Sequence, residues 1–291
     1  AACSGGAHIA SDENHVIVDT ESELAWAQYL ANATFVTDYQ PTCVSPSASP
    51  TDAEDVELPR PRVLVTGFGR FQTVRRNATG QIVSELLADL NYPLTEPPPA
   101  GRIDPPGPQL RVAKGVIDLA KTGQIELCAM VLPVFWDMAA VLVLKEAAAF
   151  KPDLVIMNGV AHARQNLWME LGATNKAATL EDGSDILSTV PGSPLVPGAT
   201  EDELQRGNLM SWSPVRDAAQ AARDTVTDQV GGELGEILHG VRFAQIRESN
   251  SYLCNNTTYV VGYALDHPAT ALTLMQASHP REGFIDHISV Q

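Results

Sequence analysis

The chain has 291 residues, of which 44% are hydrophobic, so it can bury the core of one large α/β domain or two small ones. Its 19 Lys and Arg residues stand against 35 Asp and Glu residues, which gives a formal net charge of −16. This excess of acidic groups argues against nucleic acid and anionic membrane surfaces as partners, because phosphate binding requires clustered cations. No stretch approaches the roughly 18 consecutive apolar residues of a membrane span, so none is predicted.

The first six residues are small or polar and surround a cysteine, Cys3. This pattern resembles the end of a bacterial lipoprotein signal, in which Cys3 would carry a lipid anchor. An ordinary disordered terminus is the alternative interpretation. Both interpretations predict an exported protein, periplasmic or at the cell surface, rather than a cytosolic one.

Four cysteines lie along the chain, at positions 3, 43, 128 and 254. If Cys3 carries lipid and Cys254 is a free nucleophile, Cys43 and Cys128 remain as a candidate disulfide in an oxidising compartment. The sequence leaves this pairing open, since geometry decides which thiols can meet. No Cys-x-x-Cys pair occurs, so no metal site is predicted.

Residues 1–61 are predicted to form an N-terminal extension. Apolar patterning within the extension indicates a short strand at 15–19 and a helix at 21–33. The Pro-, Ser- and Asp-rich stretch 40–61 is typical of a linker or a surface arm.

Residues 62–291 are predicted to form one α/β domain. It opens with a strand at 62–68, an apolar β-branched run suited to burial on both faces. Helical patterns and apolar runs then alternate, with helices predicted at 80–90, 136–150 and 213–231 and strands at 126–132, 153–158 and 242–247. This alternation predicts a three-layer α/β/α fold with a mainly parallel, twisted sheet. The stretches 91–108 and 178–211 are predicted to be an exposed excursion and a loop or lid.

Cys254 lies between the last predicted strand and the apolar run 259–265, at the edge where open α/β sheets bind ligands. A helix that begins near Cys254 would favour the thiolate through its N-terminal dipole. A cysteine in this position is either a core residue or a nucleophile, and a nucleophile needs a base and an orienting carboxylate. His287 and Glu170 are the candidates for these two roles.

Four segments of the domain, taken in order, resemble motifs of the pyroglutamyl peptidases, a family of cysteine peptidases. The first, 63–71 with 77–79, is similar to the family's opening strand and its Gly-Phe-Glu-Pro-Phe loop. The others are 132–135 with 151–156, then 159–175, and then 252–255 with 283–285. The likeness spans residues 62–288 and implies the same fold class.

The resemblance implies that Cys254 is the nucleophile, that His287 is its base, and that Glu170 orients the histidine. Such an enzyme would act on a peptide or a small amide without a metal or an organic cofactor. Attack by the thiolate would give a thioester, and the protonated imidazole would donate to the leaving amine. Backbone amides near Cys254 and in the loop 68–71 are candidates for the oxyanion hole. The residues implied in substrate binding are Phe68, Phe71, Asn175 and Tyr252.

The sequence also departs from the family pattern. Gly69 and Arg70 replace a glutamate and a proline, and the run before the nucleophile is changed at 247–250. An ungapped match places Asp286 at the position of the histidine, and a one-residue insertion restores His287. We therefore expect a cysteine peptidase or amidase that removes an N-terminal pyroglutamyl or related acyl residue. The alternatives are a non-catalytic binding protein of the same fold and a relative that hydrolyses a different amide.

Overall fold

The computed structural model describes residues 20–45, 60–71, 74–136, 138–160, 167–177, 194–207, 211–230, 241–244 and 252–269. Several predictions fall outside these described residues: Cys3, the strand at 15–19, the changed segment 247–250, and both Asp286 and His287.

The centre of the fold is a four-stranded sheet with the order β2-β3-β1-β4. Its strands are β1 (Arg62–Phe68), β2 (Arg111–Leu119), β3 (Gly123–Leu132) and β4 (Leu154–Met157). β1 pairs in parallel with β3 and with β4, whereas β2 pairs antiparallel with β3. The predicted α/β class with a mainly parallel sheet is confirmed, and β1 coincides with the predicted strand 62–68.

Helices cover both faces of this sheet. Next to β1 and β3, α2 (Ala78–Ser84) packs on one face, where it buries Val65 and Leu127. On the other face, Leu64 and Met130 share a larger core with residues of three helices. These helices are α1 (Thr20–Asp38), α3 (Ala139–Phe150) and α5 (Leu253–Asp266). The result is the predicted three-layer arrangement, in which side chains of alternate strand residues point to opposite faces.

The remaining elements form smaller units. β5 (Leu167–Glu170) pairs in parallel with β8 (Val241–Ala244), and β6 (Gly172–Thr174) pairs antiparallel with β7 (Gln205–Gly207). A further helix, α4 (Trp212–Val230), lies between β7 and β8 in the chain, close to the prediction 213–231. Single turns of 3₁₀ helix occur at Gly107–Gln109 and Glu201–Glu203.

Both ends of the helix predicted at 80–90 differ from the sequence prediction. The helix predicted at 80–90 begins earlier, because the Asn77 side chain accepts the Thr79 N–H at 3.1 Å and caps the helix. It also ends earlier, since the Glu85 and Leu86 N–H groups bond three residues back, at 3.3 and 3.2 Å, and tighten the chain into turns.

Strand β2 was not predicted. It is an edge strand whose residues are only partly buried, so it lacks the continuous apolar run that marks the central strands. A tight turn joins β2 to β3, and there Gly123 adopts a φ of 79°, a left-handed value that favours glycine.

The described part of the N-terminal extension packs into the main core. Tyr29 and Val36 of α1 are buried in the same cluster as Leu64 of β1. The Lys145 ammonium group donates to the carbonyls of Val36, at 2.5 Å, and of two further residues at the end of α1. Cations satisfy the free carbonyl groups that a helix leaves at its C-terminus, so this contact fastens α1 to α3.

Within the stretch 40–61, predicted to be a linker or surface arm, the described residues 40–45 lie at the surface and are anchored to the domain at Cys43. Cys43 is fully buried and forms a disulfide with Cys128 of β3, with the two Cα atoms 5.8 Å apart. The buried Glu146 carboxylate accepts the N–H groups of Thr42, at 2.8 Å, and of Cys43, at 2.9 Å. The candidate disulfide is therefore confirmed, and the Glu146 carboxylate holds the backbone of Thr42 and Cys43 in place.

Candidate active site

Three loops that follow parallel strands meet at one end of the sheet. The loop after β1 carries Phe71, the loop after β3 carries Trp136, and the segment after β4 carries Gly159. Each of them contacts the start of α5, where Tyr252 is the N-cap and Cys254 is the second helical residue. Cys254 thus lies at the carboxyl edge of the sheet, as predicted, and at the N-terminus of a helix.

The Cys254 thiol is free and packs directly on Gly159. A Cβ atom at position 159 would overlap the sulfur and would lie 3.3 Å from the Cys254 Cβ. Only glycine leaves room for the thiol in this position. Gly159 opens the segment 159–175, which resembles a family motif, but nothing in the sequence indicated that Gly159 contacts Cys254.

Two features raise the pKa of the Cys254 thiol to about 11. Although the residue keeps a solvent-accessible surface, protein atoms crowd its sulfur, and the resulting loss of water around the thiolate is the larger cause. The negative charge of Glu170 is the second cause, and a hydrogen bond from the Cys254 backbone N–H opposes both. The described surroundings therefore favour the neutral thiol at neutral pH.

Glu170 is the last residue of β5, and its side chain is exposed. Its negative charge acts on the Cys254 thiol, which relates two of the three predicted catalytic residues electrostatically, and the catalytic role of Glu170 stays a prediction. The third, His287, lies outside the described residues, and its role stays a prediction.

An aromatic cluster lies at the start of α5, the helix that carries the thiol. The Tyr252 ring contacts Phe71 at 5.9 Å and Trp136 at 5.7 Å between centroids, in tilted arrangements. Phe71 and Tyr252 were predicted to bind the substrate, whereas Trp136 was not. The available signal was its position directly after the motif 132–135, in a loop that follows a parallel strand.

Phe68 and Asn175 hold the structure together instead of presenting free groups. Phe68 is only 4% exposed and lies in the core. The Asn175 carboxamide is buried, donates to the Val196 carbonyl at 3.0 Å and accepts the Val196 N–H at 2.8 Å. A buried carboxamide needs partners for both ends, and Val196 supplies them. The predicted role of both residues in substrate binding stays a prediction.

The loop 68–71 offers fewer amides to an oxyanion than expected. The N–H groups of Phe68, Gly69 and Phe71 donate to Thr79, Leu132 and Val74, at 3.1, 2.8 and 3.1 Å. Within the described residues, the Arg70 N–H is the amide of this loop without a hydrogen-bond acceptor. A contribution of the loop to an oxyanion hole would therefore come from Arg70.

The Arg70 side chain is held in a network that reaches the N-terminal extension. Its guanidinium group pairs with the Asp104 carboxylate at 2.5 Å, and both side chains are largely buried. Gln28 of α1 accepts the Asp104 N–H at 2.6 Å and donates to the Asp104 carbonyl at 2.7 Å. The extension, the excursion 91–108 and the loop after β1 are thus connected by hydrogen bonds.

Among the described residues, one cluster has the side-chain types of a metal site: Cys43, Cys128 and Glu146. Its two sulfurs are bonded to each other, and its carboxylate accepts backbone N–H groups. A disulfide is not a thiolate ligand, so the cluster in this state does not fit a metal ion. None of the described helices is both long and apolar enough to cross a membrane.

No model of a protein family matches the chain, and no curated protein does either. Solved structures do match it. Pyroglutamyl peptidase I from Bacillus amyloliquefaciens is 14% identical, with a TM-score of 0.47 over 72% of this chain and 77% of that one. A mutant pyrrolidone carboxyl peptidase from Pyrococcus furiosus is 18% identical, with a TM-score of 0.46 over 72% and 75%. The enzyme from Thermococcus litoralis is also 18% identical, with a TM-score of 0.44 over 73% of both chains.

These identities and TM-scores are too low to transfer an activity or a residue's role to this chain. The three solved structures named above are pyroglutamyl or pyrrolidone carboxyl peptidases.

Proposed function

We propose that this chain is a cysteine peptidase or amidase that removes an N-terminal pyroglutamyl or related acyl residue from peptides. The observation that supports the proposal is the placement of Cys254. It is a free thiol in the first turn of α5, it contacts the segment after β4, and it lies within the field of Glu170. Ligands of open α/β sheets bind at this edge, and the helix N-terminus favours an anion there.

In the proposed reaction, His287 takes the proton of the Cys254 thiol, and the sulfur attacks the acyl carbonyl carbon. The carbon–nitrogen bond then breaks as the imidazolium returns the proton to the leaving amine, which leaves a thioester. Water hydrolyses the thioester with the same base and restores the thiol. Glu170 would pair with the imidazolium and hold its orientation.

The raised pKa of the Cys254 thiol makes a cation necessary for this chemistry. With burial and Glu170 acting alone, the thiolate is a minor species at neutral pH. A protonated His287 between thiol and carboxylate would reverse the sign of the local field and lower the thiol pKa. The role of His287 rests on the resemblance of its segment to the family's terminal motif.

The aromatic cluster supports a flat, largely apolar acyl group as the part of the substrate that is recognised. Phe71, Trp136 and Tyr252 come from three separate segments and meet at the start of the helix that carries the thiol. Aromatic faces favour the stacking of planar groups such as a lactam ring. In the loop after β1, Arg70 stands where the family has a proline. Because this loop differs from the family's, acyl groups other than pyroglutamyl should be tested as well.

A non-catalytic binding protein is the second candidate, and the same thiol pKa favours it. Without an activating cation, Cys254 would be an unreactive residue of a binding site near the aromatic cluster. The two candidates differ in the reactivity of Cys254 towards iodoacetamide at neutral pH, with each modified peptide followed by mass spectrometry. The denatured protein supplies the rate of an ordinary thiol.

A nucleophile should react faster in the native protein than in the denatured one, and a binding protein's thiol should react more slowly. Hydrolysis of a chromogenic pyroglutamyl amide that disappears in Cys254→Ser would then identify the substrate class. Fast labelling without this hydrolysis would reject the pyroglutamyl group and leave a different amide as the substrate. Slow labelling without hydrolysis would reject catalysis by Cys254.

We also propose that the protein is exported, with Cys3 as a candidate lipid-bearing residue. The Cys43–Cys128 disulfide supports export, since such bonds persist in oxidising compartments. Cell fractionation and the mass of the N-terminal peptide test the two parts of this proposal separately. A reduced protein in the cytosol would contradict export, and an unmodified Cys3 in an exported protein would contradict only the lipid anchor.

A further inference from the structure

Two adjacent asparagines follow Cys254 in the first turn of α5, and both are buried. Asn255 is 6% exposed and Asn256 is 1% exposed. Asparagine is a poor helix former, and buried carboxamides require hydrogen-bond partners. The two side chains bind different segments, which makes them informative about how the thiol is positioned.

The Asn255 carboxamide binds the segment that follows Glu170. Its oxygen accepts the Thr174 N–H at 2.8 Å, and its nitrogen donates to the Thr174 carbonyl at 2.9 Å. A further donation reaches the Lys176 carbonyl at 3.2 Å. The oxygen and both N–H hydrogens of the carboxamide therefore have backbone partners. The carboxamide binds the Thr174 backbone as the backbone of a paired strand would.

The Asn256 carboxamide binds the other side of the site. Its nitrogen donates to the carbonyl of Trp136 at 3.0 Å. Trp136 lies in the loop after β3, and its ring contacts Tyr252. Successive residues of a helix point about 100° apart, so the two carboxamides together resist rotation of this helical turn. Cys254 belongs to the same turn, and its direction is set by that rotation.

We propose that Asn255 is a positioning residue, which holds the Cys254 thiol at a fixed place beside the Glu170 carboxylate. Thr174 is the last residue of β6, and β6 begins two residues after Glu170. A clamp on the Thr174 backbone therefore sets the distance between the two functional groups. The proposal deepens the proposed function, but it concerns the geometry of the site and is testable without hydrolysis.

The test is a double-mutant cycle on the pKa of Cys254, measured from the pH dependence of its alkylation by iodoacetamide. Glu170→Gln removes a negative charge and should lower the thiol pKa in the wild-type background. In the Asn255→Ala background, the shift caused by Glu170→Gln should fall to about half or less, because the charge is no longer held close. Asn256→Ala is the comparison variant: it removes the bond to the Trp136 carbonyl and leaves the clamp on Thr174 in place, so the shift should stay larger than in the Asn255→Ala background.

An equal shift in the wild-type and Asn255→Ala backgrounds would overturn the proposal, and so would the absence of any shift in the wild type. Asn255→Ser, which keeps one polar group, repeats the cycle if the alanine variant does not fold. Failure of both variants to fold would assign Asn255 to folding alone and also overturn the positioning role.

If the chain hydrolyses a pyroglutamyl amide, Asn255→Ala should lower kcat on the order of 100-fold with little change in KM. A chain that passes the cycle but hydrolyses nothing would reject the proposed function and keep this inference.

Discussion

The sulfur of Cys254 lies against the Cα of Gly159, so that a single added methyl group would overlap it. The two residues are far apart in the sequence, on α5 and on the segment after β4. Their contact closes one side of the candidate nucleophile. It also connects a backbone position to the chemistry of the site, because anything larger than glycine must displace the thiol.

The first prediction is that Gly159→Ala displaces the thiol while the protein stays folded. Overpacking of this kind costs about 1–3 kcal/mol, and a misplacement near 1 Å lowers catalysis on the order of 100-fold. Alkylation rates, thermal unfolding and, where present, hydrolysis measure the two effects. Gly207→Ala is the control, since an added Cβ there meets no atom within 4 Å. Unchanged Cys254 reactivity in Gly159→Ala would contradict the contact.

The second prediction concerns stability at alkaline pH. The pKa of the Cys254 thiol is raised from 9.0 to about 11 in the folded state, so between these values the unfolded chain loses a proton that the folded chain keeps. The unfolded state then binds fewer protons, and the free energy of unfolding falls as the pH rises through this window. Cys254→Ser should remove this part of the pH dependence.

Chemical denaturation of both proteins across this pH range measures the difference. Other groups titrate there as well, and the comparison with Cys254→Ser cancels them. A wild-type curve parallel to that of the variant would show that the thiol pKa is not raised, as expected if a protonated His287 overrides the burial and Glu170.

The third prediction is that the Cys43–Cys128 disulfide stabilises the fold by about 2–5 kcal/mol, mainly by restricting the unfolded chain. The bond closes a loop with a sequence separation of 85 residues and fastens the extension to β3. The double variant Cys43→Ser with Cys128→Ser should unfold at a lower denaturant concentration. Reductant should destabilise the wild type and leave this variant unaffected, and an equal response of both would argue against the bond.

The fourth prediction is that the Arg70–Asp104 pair is needed for the conformation of the loop after β1. Removing one partner of a buried pair leaves an uncompensated charge, so Asp104→Asn should cost about 3 kcal/mol. The control is the Arg75–Glu96 pair, whose side chains are 67% and 66% exposed, and Glu96→Gln should cost less than about 1 kcal/mol. Denaturant titrations compare the two, and similar costs would contradict the prediction.

Local patterns in the sequence predicted those strands and helices that bury a continuous series of apolar side chains. β1, the later part of β3, and helices α3 and α4 lie close to their predicted positions, because apolar periodicity reports which faces are buried. The edge strand β2 and the packing of α1 were not predicted. A partly buried edge strand carries a weak pattern, and nothing local indicates which surface an amphipathic helix covers.

The sequence by itself determined the fold class, the resemblance to the family motifs and Cys254 as the candidate nucleophile. It did so because these depend on residue type and on order along the chain. Tertiary structure alone decided that Gly159 and Trp136 adjoin Cys254 and Tyr252, that Asn175 binds Val196, and that Cys43 meets Cys128. These contacts join residues distant in sequence, and only packing of the whole chain brings them within hydrogen-bonding or van der Waals distance.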